Sequence, residues 1–292
     1  MLVQVFLNGL VAAAIYALVA LGFGLVLRVC RFYHFAHAAV FVWGAYFAFL
    51  FKVQFGLPLF WWVFLSVLLA TILGCLIEVT VYRSLRRKHS SSLVVLIASL
   101  GIYVVLQNIV SMIFGDGAKV IQPRSVEKGV ELFGARVTHI RVLSVGLSVL
   151  LLTGIAAVLK WSKIGRAMRA VGSDQNLAEI SGIDSERVVL FTFALASALA
   201  GIAGILVALD VDMTPTMGLQ ALMMGLVVVI IGGIKSIPGI AFGALLLGLL
   251  QNLAAWSIGS QWQDAVAFII LVALLLAQPE GVMGKKIKNV MA

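Results

Sequence analysis

Long apolar runs separated by short polar breaks occupy almost the whole chain. They cover residues 2–27, 35–51, 57–82, 91–114, 140–159, 188–209, 219–234, 237–256 and 263–277. Runs of roughly 18 or more apolar residues can cross ~30 Å of hydrocarbon as a helix. A helix also satisfies its own backbone hydrogen bonds in lipid. The pattern therefore predicts an all-α, polytopic membrane protein with about 8–9 transmembrane or re-entrant helices, forming a single domain over residues 1–292. If every run crosses, there are nine crossings. The pair 219–234 and 237–256 is divided only by Lys235 and Ser236, so one of the two is open to being a re-entrant half-helix. The first run carries no charge and has no basic segment before it, which favours a span over a cleaved signal peptide.

One polar passage in the second half, residues 160–187, breaks this pattern with a finer one. Ile164, Met168 and Val171 recur at helical spacing on one face, while Arg166 and Arg169 share another. Gly172 is placed to end that helix in a left-handed conformation. Ser173 or Asp174 then caps a second helix running through Glu179, and Gly182 stops it. Two capped amphipathic helices between membrane spans suggest a docking element. The stripe Ile164, Met168 and Val171, with Leu177 and Ile180, is expected to supply its apolar anchor. Arg166, Arg169 and Glu179 would form its polar rim.

Composition agrees with a membrane protein: 62% of residues are hydrophobic, 11% are charged, and the mean hydropathy is +1.13. The net charge of +9 does not call for a nucleic-acid partner, because the basic residues sit between the spans. Cytoplasmic positive charge and anionic lipid headgroups explain that placement. The clusters at 83–88 and 160–169 and the tail lysines Lys285, Lys286 and Lys288 are assigned to the cytoplasm. That places the N-terminus outside, the mixed segment 115–139 outside and the C-terminus inside. Cys30 and Cys75 lack metal-ligand spacing and form no disulfide framework. A phosphate loop of the form GxxxxGK[ST], an HExxH and a CxxC pair are all missing from the sequence. No catalytic set, metal site or cofactor is therefore expected in this chain, and any ATP and Mg would be bound by a partner.

Polar residues within spans are costly, so each is a candidate for the solute path. Glu78 lies about a turn from the Arg83 cluster, and a local ion pair explains it. His34, Phe35 and His37 open the second run, where a helix N-terminus favours a carboxylate. An interfacial histidine pair bonded to backbone is as good an explanation. Gln107 and Asn108 fall deep in the fourth run, where amides also bond neighbouring helices. Gly232 and Gly233 precede Lys235 and Pro238 and predict a helix break, and such breaks are tolerated when buried or lining a cavity. Ser197, Gly201 and Gly204, and Gly239 with Gly243, predict close helix packing.

Several of these stretches also resemble one family. Gly165-Arg166-Ala167-Met168-Arg169-Ala170, then Asn176-Leu177-Ala178-Glu179 and Gly182-Ile183, look like the cytoplasmic coupling loop of branched-chain amino-acid permeases of ABC importers. Residues 14–22 are similar to that family's first span, and His34-Phe35-Ala36-His37 to its "NFAHG" turn. Pro215-Thr216-Met217-Gly218 and residues 232–239 match its late "PxmG" and "GGxGSxPG" elements. The elements are co-linear over nearly the whole chain. The chain departs from the pattern at His34, Ala38 and Lys235, where the family has asparagine, glycine and glycine. The first two departures bear on the solute path if that turn lines it. The resemblance implies a non-catalytic half-pore in a bacterial inner membrane, paired with a second, related permease. It further implies two cytoplasmic ATPases docked on Ile164, Gly165, Arg166, Met168, Arg169, Val171, Leu177, Ala178, Glu179, Gly182 and Ile183. A periplasmic binding protein would deliver branched-chain amino acids, or another small polar solute such as an amide or urea. The alternative class is a secondary transporter or channel driven by an ion gradient, which requires acidic or histidine relays deep in the spans.

Overall fold

The computed structural model describes residues 1–121, 129–132, 135–234, 236–278 and 280–283, with the backbone alone at 130–132 and 135. Lys235, Lys285, Lys286 and Lys288 lie outside the described residues, as does part of the 115–139 segment. In chain order the helices are α1 (Leu2–Cys30), α2 (His37–Phe49), α3 (Leu59–Ile77), α4 (Arg83–Arg87) and α5 (Ser92–Phe114). After a small hairpin come α6 (His139–Trp161), α7 (Lys163–Ser173), α8 (Gln175–Ile180), α9 (Ser185–Asp210), α10 (Met217–Gly232), α11 (Ile237–Ser257) and α12 (Gln263–Ala277). The hairpin pairs β1 (Val130–Leu132) antiparallel with β2 (Ala135–Val137), matching Val130 to Val137.

Eight helices among the described residues are long and apolar enough to cross a membrane. The exception is α10, whose 16 residues fall short of the others. It nevertheless runs from one large cavity, lined by Met217 and Gln220, to a break beside a second cavity on the opposite face, lined by Ser236. Of the open pair, α11 is the full-length member and α10 the short one. α3 passes through a π-helical turn (Glu78–Tyr82) into α4 without leaving the helix axis, so the third run extends to Arg87 rather than stopping at residue 82.

α1 is the most buried span and packs against α6, α9, α10 and α11. α5, α6 and α12 turn most of their apolar surface outward, as helices facing lipid or another subunit do. Small residues set the core's closest approaches. A Cβ at Gly44 of α2 would come within 2.5 Å of Gly201 Cα in α9, so those helices cross with their backbones in contact. Gly204 lies against Phe41, Gly201 also against Ala70, and Ser197 against Gly74. The small-residue stripe of α9 thus packs within this chain, as does Gly243, which meets α10 at Val228 and Gly232.

The two faces of the bundle differ. On one, Gln4 of α1 exchanges hydrogen bonds with the Arg136 backbone of the hairpin (3.2 and 3.1 Å), and Lys119 pairs with Met213. On the other lie α4, α7, α8 and the break that begins at Gly233.

Candidate functional site

The α7–α8 element is built from caps at both ends. Ser162 Oγ accepts from Gly165 N at 2.9 Å and starts α7 immediately after α6. Asp174 is extended, closes α7, and its carboxylate accepts from Leu177 N at 2.9 Å to start α8. Gly182 stops α8 with φ 82°, a conformation that penalises any side chain with a Cβ. Both expectations for α8 hold.

Two expectations for α7 need correction. Gly172 does not end the helix in the left-handed region, because α7 continues through Ser173. Gly172 is small because a Cβ there would lie 2.7 Å from Arg28 O, where α7 meets the end of α1. The Arg31 guanidinium reinforces that junction by donating to Gly172 O at 3.2 Å and to Ser173 O. The apolar stripe is not an external anchor either. Met168 and Val171 are 1% and 2% exposed, packed inward on α1 and α9, with Ile164 half-buried beside them. Gly165 is equally constrained, since a Cβ there would reach Leu159 Cα at 2.6 Å.

Of the two loop helices, α8 carries the free apolar residues. Leu177 is 63% exposed and Ile180 is 84% exposed, while Ala178 is buried under them and Ile183 is half-buried. Arg166 and Glu179 are exposed around this edge, and Glu179 accepts from Gln175 Nε2 at 3.1 Å. Arg169 is half-buried and turns toward a cavity.

Beside this element, an ion-pair lattice joins α4 to α9. Arg86 grips the buried Glu78 carboxylate with both terminal nitrogens, one at 3.1 Å. Arg87 Nε donates to Glu186 Oε1 at 3.0 Å, and Arg83 pairs with the same carboxylate. The local ion pair expected for Glu78 is present, with Arg86 as its partner.

Two large cavities lie on opposite faces. One of about 610 Å³ is lined by Asn8, Tyr16, Arg141, Asp210, Thr214 and Gln220, among others. In it Arg141 Nε donates to Asp210 at 2.8 Å, and Arg141 Nη1 donates to Asn8 Oδ1 at 3.0 Å. The other, of about 640 Å³, is lined by Arg28, Lys160, Arg169, Gly172, Ser173 and Ser236, among others. None of the seven residues named from sequence for a solute path lines either cavity. His34 and His37 are fully buried, and His34 Nδ1 lies 3.0 Å from Tyr82 Oη with its ring edge-on to Phe193. Phe35 is half-buried. Gln107 is half-buried and Asn108 faces outward, donating to Val104 O of its own helix at 2.7 Å. Gly232 packs on Gly239, and Gly233 takes φ 91° to break the chain before α11.

The sequence matches a known protein family over nearly the whole chain. The model for the branched-chain amino acid transport system / permease component family covers residues 5–275. The chain belongs to this family. The permease is 31% identical to the high-affinity branched-chain amino acid transport system permease protein BraD of Pseudomonas aeruginosa, over 97% of this chain and 95% of that one. It is 29% identical to the corresponding LivH of Salmonella typhimurium, with the same coverage. In fold it is similar to PsaBC from Streptococcus pneumoniae in complex with Fab, at a TM-score of 0.55 and 14% identity over 94% of this chain and 91% of that chain. The permease is thus a multi-pass membrane protein.

Of the first cavity's lining, Ile15, Tyr16, Thr216 and Met217 fall within the family motifs, whereas Arg141 and Asp210 belong to none. A signal was present: Arg141 begins one apolar run and Asp210 ends another, so antiparallel spans bring them together at one face.

Proposed function

We propose that this permease forms half of the pore of an ATP-driven importer for branched-chain amino acids in a bacterial inner membrane. Its N-terminus lies outside and its C-terminus in the cytoplasm. In this reading a second, related permease completes the pore, two cytoplasmic ATPases bind the nucleotide and Mg, and a periplasmic protein delivers the solute. The single observation that carries the coupling role is the division of labour in the α7–α8 pair. α7 is locked into the bundle, while α8 presents Leu177 and Ile180 to the aqueous face. A partner that moves α8 moves α1 and α9 with it, as a rigid-body shift of packed elements.

The 610 Å³ cavity on the outer face supports the cargo class. Its lining mixes apolar Val11, Ile15 and Met224 with Asn8, Thr214, Thr216 and Gln220, a surface suited to a small solute with polar and apolar ends, while Arg141 and Asp210 already pair with each other. The ion-gradient alternative is less well supported. Glu78 is already neutralised by Arg86, and the His34–His37 pair is packed among aromatic rings and lines neither cavity. A relay needs titratable groups that reach water.

The test is reconstitution of the assembled importer with Glu179→Arg or Gly182→Arg. Both variants should insert and assemble, yet hydrolyse ATP without matching uptake. Normal transport by both would remove the coupling role from this loop.

A further inference from the structure

Arg141 and Asp210 stand at the rim of the 610 Å³ cavity, and each is at the wrong pole of its own helix. Arg141 lies in the first turn of α6, and Asp210 is the last residue of α9. A cation at a helix N-terminus and an anion at a C-terminus both oppose the helix dipole. Helix stability alone would not select either charge. The placement is tolerated because the two meet, Arg141 Nε donating to Asp210 Oδ1 at 2.8 Å. Asp210 is only 12% exposed there, so separating the pair would leave a partly desolvated charge alone. Arg141 is also the one residue that α6 contributes to the described lining.

A string of hydrogen bonds ties this pair to α1 and to the hairpin. Arg141 Nη1 donates to Asn8 Oδ1 at 3.0 Å, and the same oxygen accepts from Gln4 Nε2 at 3.2 Å. Gln4 in turn holds the Arg136 backbone through both atoms of its amide. The hairpin then leads straight into α6. Its second strand ends at the buried Val137, and Thr138 Oγ1 accepts from Arg141 N at 3.4 Å. Three spans, α1, α6 and α9, are thus pinned together at one rim of the cavity, with the hairpin as their anchor. We infer that Arg141 and Asp210 form a clasp that closes this cavity toward the outer face. Asn8 and Gln4 are its positioning residues: they hold Arg141 in place and pass any displacement of the hairpin on to it. The clasp deepens the importer reading, in which this cavity is where the solute enters.

The test is the rate at which a membrane-impermeant thiol reagent labels Ala221→Cys, on the α10 wall of the cavity, in right-side-out vesicles holding the assembled complex. No ATP or solute is added, so the outcome is separate from that of the coupling test. Arg141→Gln and Asp210→Asn should each raise the rate by roughly tenfold or more, because the charge left behind weakens the closed form. Asn8→Ala and Gln4→Ala should raise it less, in that order. Asn8→Asp keeps an acceptor for Arg141 and should label as slowly as wild type. Exchanging the charges, Arg141→Asp with Asp210→Arg, re-forms the pair with both at favourable helix ends, so labelling should be as slow as wild type or slower. A rate unchanged by both single substitutions, or a correctly inserted exchange variant as fast as the singles, would overturn the clasp. The half-buried Cys30 and Cys75 are the internal control. Faster labelling of these two in the same variants would mean general loosening and would equally overturn it.

Discussion

α7 and α8 are neighbours, both short, both capped by a side-chain oxygen, and both carry apolar residues at helical spacing, yet they turn those residues in opposite directions. α7 buries Met168 and Val171 in the bundle, and α8 leaves Leu177 and Ile180 in water. The difference follows from how closely each backbone packs. Each helix starts after a single extended capping residue, Ser162 or Asp174, but Gly165 and Gly172 let the α7 backbone touch α6 and α1. α8 contains no glycine, buries only Ala178, and is ended by the left-handed Gly182. One loop therefore holds both a fixed base and a free contact edge. Coupling needs both, since a contact without a base would move alone.

The strongest way to break this contrast is to remove the base. Met168→Ala should cost about 2–5 kcal/mol, the usual range for truncating a buried side chain, and lower the detergent melting temperature with or without ATPases present. Ile180→Asp should do the opposite. Its own melting point should stay within about 0.5 kcal/mol of wild type, as for other exposed sites. Its ATPase affinity should fall by about 2 kcal/mol or more in a pull-down titration, as for a central interface residue. Gly172→Val should cost about 1–3 kcal/mol by forcing α7 away from Arg28 O, and the resulting looseness should appear as faster hydrogen exchange in α7. Asp174→Ala removes only the α8 cap and should cost about 1 kcal/mol, seen as exchange confined to residues 175–180. If Met168→Ala and Ile180→Asp gave the same phenotype, the division between base and edge would be lost.

Much of this was legible in the chain. The apolar runs mark the spans, and Asp174 and Gly182 mark α8, because a cap and a stop are local features that sequence carries directly. Other features depend on partners far along the chain. A glycine late in a helix reads the same whether it must turn left-handed or admit another backbone, and Gly172 does the second. Periodicity shows that Met168 and Val171 share a face but not which way that face points. The Glu78–Arg86 pair is eight residues apart, which a regular helix would rotate out of alignment. The π-helical turn at Glu78–Tyr82 takes up one extra residue and restores the shared face. Such a turn leaves no mark in the composition. Polar or small residues in apolar runs pack helices together as readily as they line a path, so that signal alone does not find lining residues. His34, with its Tyr82 partner, and Gly232, on Gly239, are packing cases.

The most direct test of the coupling edge is a photo-cross-linking side chain placed at position 180 in native membranes, with position 112 on the exposed apolar face of α5 as the control. Capture of an ABC ATPase from position 180 and not from position 112 is the predicted result. Failure to capture an ATPase from position 180, with the permease correctly inserted and transporting, would contradict the docking of α8 on which coupling rests.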